Sequence, residues 1–173
     1  MKTDIVVDVE ADGPVPGLYS MVSFAAVPLY DDTKSFYSPI QAITENFQPD
    51  ALRVCNFTRE QTLGFPDPEM VMKAFGSWAG QFEGPLVLWS DNPLFDGAWF
   101  NYYCHKYLGK NPFGFSGRRI GDLYSGFVRD PSKSSNWKKF RTGTHTHNAL
   151  DDAKGNAGAL RKILKEIKDA SRN

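Results

Sequence analysis

Near its start the chain reads Asp4-Ile5-Val6-Val7-Asp8-Val9-Glu10-Ala11-Asp12-Gly13, an apolar run that ends in acids. Such a run predicts a buried central strand. Residues two apart on a strand face the same side, so Asp8 and Glu10 point together. Two carboxylates side by side on a core strand lose hydration and repel each other unless a cation or a proton compensates them. A divalent metal held by oxygen ligands is the simplest such cation. The same pair also occurs at solvated strand ends that lead into turns, so the rest of the chain must decide.

The 173 residues suffice for one domain with a real core, expected to span residues 1–173. The formal net charge is zero, which excludes a globally basic nucleic-acid binder but not an enzyme that reaches phosphate through metal. Cys55 and Cys104 are too few for a disulfide framework or a zinc site. No signal peptide and no membrane-length apolar run is evident, so a reducing cytoplasm is the expected compartment, with no membrane partner. Aromatic residues make up 14% of the chain, more than a small core usually needs, so some are candidates to stack on flat rings.

Pro and Gly in Ala11–Gly17 break the first strand and let backbone approach whatever sits on Asp8 and Glu10. Tyr19–Tyr30 and Thr33–Ile40 predict two more strands, joined by short turns into an antiparallel meander. Thr58 to Gln61 has the spacing of a capping box. Asp67-Pro68-Glu69 starts a helix that runs to about Phe82, with Val71, Ala74, Phe75, Trp78, Ala79 and Phe82 on one face. Leu86–Trp89 is a fourth strand, expected to be parallel to the first because a helix precedes it. Ser90 to Pro93 caps the next helix, to about Leu108, with Asp91 as a cap and Asp96 in the first turn. A short strand near Arg118–Ile120 and a short helix, Asp122–Val128, follow. Arg129–His147 is basic and poor in apolar residues, and reads as a mobile loop. The last helix runs from about Ala149 to Lys168, with a core stripe of Ala149, Ala153, Ala157, Leu160, Leu164 and Ile167. Asp151 and Asp152 lie in its first turn.

Asp8 with Glu10, then Asp96, then Asp152 thus sit at strand ends or helix starts, where sites of α/β sheets form. Three short motifs carry these acids in order: Asp8-Val9-Glu10, then Asn92-Pro93-Leu94-Phe95-Asp96, then His147 followed five residues later by Asp152. Together they resemble the DEDDh family of 3′→5′ exonucleases, the RNase T-like and polymerase-proofreading group on the ribonuclease H-like fold. The likeness runs from about residue 4 to 165 and includes Asn56-Phe57-Thr58-Arg59-Glu60. It implies an α/β fold with a mixed five-stranded sheet, antiparallel across its first three strands and flanked by helices. One departure is Ala11-Asp12-Gly13-Pro14 after Glu10, where most members have Thr or a similar residue and then Gly.

The resemblance implies two Mg²⁺ or Mn²⁺ ions about 3.5–4 Å apart. Asp8 would bridge them, Glu10 and Asp152 would complete one shell, and Asp96 would serve the other ion. His147 would be the general base, since an ordinary imidazole titrates at about pH 6.5. His145 is the rival base and lies too early for the motif. Candidate substrate contacts are Ala11 and Gly13 in the turn, Leu18, Tyr19 and Met21 after motif one, and Trp89, Asn92 and Phe95 around motif two. Lys138 and Arg141 are candidate phosphate contacts on the basic loop. The expected substrate is the 3′ end of single-stranded nucleic acid, with RNA favoured over DNA from the likeness to stand-alone ribonucleases, and 5′-mononucleotides as products. A phosphodiesterase acting on small nucleotides and an inactive nucleic-acid-binding module are the alternatives. Related stand-alone enzymes are often dimers, so a homodimer belongs to the expectation.

Overall fold

The apolar run at the start of the chain is the central strand of a five-stranded mixed sheet in a computed structural model that describes residues 2–172. Strands β1 (Thr3–Ala11), β2 (Met21–Pro28), β3 (Phe36–Pro39), β4 (Leu86–Ser90) and β5 (Gly117–Arg119) lie in the order β3-β2-β1-β4-β5. The β1–β2 and β2–β3 pairs are antiparallel, as their short connections allow, whereas β1–β4 and β4–β5 are parallel and joined through helices. The β1–β2 ladder shifts register between Glu10 and Ala11, opposite Ser23 and Met21. This irregularity lies beside the second acid of the first motif, where a bulge bends the strand.

Among the described residues the helices, interleaved with the later strands, are α1 (Pro49–Val54), α2 (Arg59–Leu63), α3 (Pro68–Ala79), α4 (Pro93–Leu108), α5 (Ile120–Val128) and α6 (Ala149–Ala170). Alternation along β1 divides the core between two faces. Ile5, Val7 and Val9 join Phe75 of α3 and Trp99, Phe100 and Tyr103 of α4. Val6 joins Ala153, Ala157, Leu160 and Ile163 of α6 on the other face. Asp8 and Glu10 share the alternation of Val6, so they are directed towards the side that α6 covers.

The expected caps form where their chemistry is complete. Thr58 accepts from the Gln61 N–H while the Gln61 side chain accepts from the Thr58 N–H, and the Asp67 carboxylate accepts from the Met70 N–H. Several expectations shift. Helix α3 stops at Ala79 with Gly80 as its C-cap, short of Phe82; Ala74 is exposed and Met72 takes its place in the core. The meander strands are shorter than expected, and a 3₁₀ turn at Asp32–Lys34 precedes β3. Asp91 caps nothing: Asn92 is the N-cap residue of α4, and Asp91 pairs with Lys138 at 2.8 Å. In α6 the stripe continues through Ile163, with Leu164 and Ile167 only partly covered.

The largest revision concerns Arg129–His147. It is an organised strap rather than a loose loop, with 3₁₀ turns at Pro131–Lys133 and Asn136–Phe140. Trp137, fully buried against the α6 side of the core, anchors it. One aromatic residue supplies what the polar sequence around it could not, and fixes the segment that leads into the third motif.

Trp137→Ala is expected to cost about 3–5 kcal/mol in chemical denaturation, as for other buried tryptophans. In hydrogen exchange the lost protection should concentrate in residues 129–147; an even loss across the sheet would mean that Trp137 does not act as the anchor of this strap.

Candidate active site

The four acids of the three motifs meet at the carboxyl end of β1. Asp8 and Glu10 come from the strand itself, Asp96 from the first turn of α4, and Asp152 from the first turn of α6. Carboxylate oxygens of Asp8, Glu10 and Asp152 lie within 4.8 Å of one another. Asp96 is tied to the same strand, accepting from the Val9 N–H at 3.1 Å. Helix N-termini suit acids because their free N–H groups carry partial positive charge. Asn148 caps α6, its side chain accepting from Leu150 and Asp151 N–H groups. Asp151 is exposed, whereas Asp152 is fully buried and faces the other acids.

Gathering these groups raises the proton affinity of Asp8, Glu10 and Asp96. Burial, then the charges of Asp96, Glu10 and Asp152, push Asp8 well above the usual carboxylate range, while Arg141 pulls it back. Burial lifts Glu10 from 4.5 to about 7, opposed by a hydrogen bond from the Cys55 thiol and aided by Asp152. Burial likewise lifts Asp96 to about 7 against the pull of its hydrogen bonds. Three adjacent carboxylate oxygens held by rigid elements are a hard donor set that fits Mg²⁺ or Mn²⁺. Asp8, Glu10 and Asp152 could hold one ion, with Asp96 beside it.

The strap ends by wrapping Asp152. Its Oδ1 accepts from Arg141 Nη2 at 2.7 Å and from the Thr146 N–H at 3.1 Å, and its Oδ2 accepts from the His147 N–H at 2.8 Å. His147 adopts φ 56°, in the left-handed region that a non-glycine residue seldom occupies. That turn lets its N–H reach the carboxylate. His145, expected to lie too early, also reaches the site: its Nδ1 is 2.9 Å from Asp152 Oδ1, and its ring packs edge-on to that of His147 at 4.2 Å between centroids.

The candidate substrate residues divide. A groove of about 280 Å³ opens beside Glu10, walled by Ala11, Gly13, Ala51, Val54, Cys55 and Phe95. Ala11, Gly13 and Phe95 therefore stand where expected. A Cβ at Gly13 would lie 2.2 Å from the Tyr19 ring, so glycine there lets Tyr19 close over the turn. Leu18 is exposed next to it, and Asn92 is exposed at the start of α4. Met21 is fully buried and belongs to the core, its N–H bonded to the Tyr103 hydroxyl. Trp89 is also core: it is buried on the α6 face and donates to Asp4 at 2.7 Å. Neither is exposed to meet a strand. Arg141 turns inward onto Asp152 instead of outward to solvent, and Lys138 sits on Asp91. Asp12, the departure after Glu10, accepts from the Ser20 N–H and from Arg59, and so clamps the turn to α2. Cys55, whose thiol donates to Glu10 at 3.1 Å, had no sequence signal, because nothing in the pattern ties residue 55 to residue 10.

No protein-family model matches the chain. It is 34% identical over 178 residues to the Escherichia coli protein named 3′-5′ DNA exonuclease Cap18, covering 95% of both chains. Among solved structures it resembles the nuclease domain of 3′hExo, a DEDDh family member bound to rAMP, with a TM-score of 0.76 at 17% identity, over 95% of this chain and 92% of that one. It also resembles E. coli ExoI in complex with single-stranded DNA, in a zinc-bound form, with a TM-score of 0.73 at 15% identity, over 98% of this chain and 42% of that one.

The raised carboxyl groups fix the sign of a pH effect. Glu10 and Asp96 keep protons up to about pH 7 in the folded chain but release them near pH 4 when unfolded. Their contribution to stability is present below the unfolded values and is lost as pH rises through about 7. In chelator, the thermal midpoint should fall between about pH 5 and 8, and Asp8→Asn should flatten that slope and raise the midpoint at the upper end. Saturating Mn²⁺ should abolish the fall; a slope unchanged by Asp8→Asn would contradict this account.

Proposed function

Because this chain belongs to the DEDDh family of 3′→5′ exonucleases, we propose that it hydrolyses single-stranded DNA from the 3′ end and releases 5′-mononucleotides, acting as one unit across residues 1–173. The observation that carries this reading is the meeting of Asp8, Glu10 and Asp152 within 4.8 Å, with Asp96 bound to the same strand. We favour DNA over the RNA expected from the sequence because the relative that matches along 95% of the chain is named for DNA.

When bound, two divalent ions would activate water and stabilise the leaving oxygen. Asp8, Glu10, Asp96 and Asp152 would hold them. His147 accepts the proton of the attacking water; its backbone is fixed to Asp152, so its ring turns about a fixed point beside the carboxylates. The apolar groove beside Glu10 takes the terminal base, with Phe95 as one wall and the Gly13–Tyr19 turn as its lip. An apolar wall accepts any base by stacking, which suits an enzyme that must digest every sequence.

A time course on 5′-labelled single-stranded DNA and RNA oligomers with Mg²⁺ or Mn²⁺ tests this. The expected result is a DNA ladder that shrinks from the 3′ end, with a slower ladder on RNA. Chelator and Asp8→Ala should each abolish it, and His147→Ala should slow it by about 10²–10⁴-fold. Internal fragments would indicate an endonuclease, faster loss of RNA would reverse the substrate choice, and intact polymers with metal still bound would overturn the proposal.

A further inference from the structure

Arg141 has a built place at the carboxylate site. Its side chain is 9% exposed and Asp152 is not exposed at all. Nη2 bonds Asp152 Oδ1 at 2.7 Å, and Nη1 lies 3.2 Å from His145 Nδ1. The Nε is buried and finds no hydrogen-bond partner among the described residues. The reason for that packing is Gly155, one turn beyond Asp152 on α6: a Cβ there would lie 3.3 Å from Nε and 3.4 Å from Nη2. Helix α6 therefore carries a notch that lets the guanidinium lie against its backbone.

Orientation of Asp152 does not require this arginine. The carboxylate stands on a rigid helix turn, and the Thr146 and His147 N–H groups already grip both of its oxygens. What Arg141 alone adds is a full positive charge, buried against Asp152 and felt at Asp8, where Coulomb interactions are weakly screened. A carboxylate that shares one oxygen with a guanidinium is a poorer ligand for a dication, because the two cations repel across it.

We propose that Arg141 is a resident counter-cation of the carboxylate set, whose charge opposes divalent metal and so sets how tightly the site takes it. This rests on the reading of Asp8, Glu10, Asp96 and Asp152 as metal ligands. Its consequence is a site that holds metal loosely by itself and fills as substrate phosphate adds negative charge.

The test is calorimetric titration of Mn²⁺ into the full chain, stripped by chelator, with no nucleic acid present. Arg141→Met should bind Mn²⁺ about tenfold more tightly, whereas Arg141→Lys should stay within about twofold of the parent because the charge remains. Arg141→Gln, which also removes the charge, should move affinity in the same direction as Arg141→Met. An Arg141→Met dissociation constant equal to or weaker than the parent's would overturn the proposal, as would an Arg141→Lys protein as tight as Arg141→Met. If Arg141→Met does not fold, an unchanged constant in Arg141→Gln overturns it. Asp8→Asn separates the two readings: Mn²⁺ binding that survives this change sinks the metal-site reading, whereas binding that needs Asp8 and ignores Arg141 sinks this proposal alone.

Discussion

Repulsion among carboxylates withdrawn from water is the constraint around which this molecule is arranged. Asp8, Glu10, Asp96 and Asp152 would each be more stable in solvent, yet three separate elements bring them to one point. That is tolerable only because the elements are rigid and Asp96, Glu10 and Asp152 each have hydrogen-bond partners. Asp96 draws on the Val9 N–H, Glu10 on the Cys55 thiol, and Asp152 on two backbone N–H groups and a guanidinium. Stability given up at one end of the sheet is supplied by the aromatic packing of α3 and α4 on one face and the alanine-rich face of α6 on the other.

The sheet topology gives the acids their directions. A parallel β4 places the start of α4 next to the end of β1, so a first-turn acid on that helix faces the strand. The α6 helix lies across the opposite face, close enough for Ala153 and Ala157 to meet Val6, and its first turn then overhangs Asp8 and Glu10. Small side chains are what permit that approach: bulkier residues in the stripe would lift α6 and carry Asp152 away from its partners.

The strap from Arg129 to His147 joins stability to chemistry. Trp137 fixes its middle in the core, and Asp152 fixes its end through Arg141, Thr146 and His147. The residue proposed as a metal ligand and the residue proposed as base are thereby joined by one hydrogen bond. A change in how Asp152 is held is felt at His147, and the left-handed turn at that residue is the conformation that the contact requires.

Much of this was legible in the chain. The apolar run placed β1, the spacing of caps placed α2 and α3, and the three acidic motifs placed Asp8, Glu10, Asp96 and Asp152 at element ends, because these patterns are local. What tertiary structure decided was everything that depends on neighbours distant in sequence. Met21 and Trp89 read as candidate substrate contacts beside motifs, yet burial on the two faces of the sheet made them core. Arg141 read as a phosphate contact on a basic loop, yet a glycine fourteen residues on opened a place for it beside Asp152. Cys55 gave no signal at all and ended on Glu10. Local pattern fixes which way a side chain leaves its own backbone; only the packed fold determines what it meets there, and charge, burial and reactivity follow from that meeting.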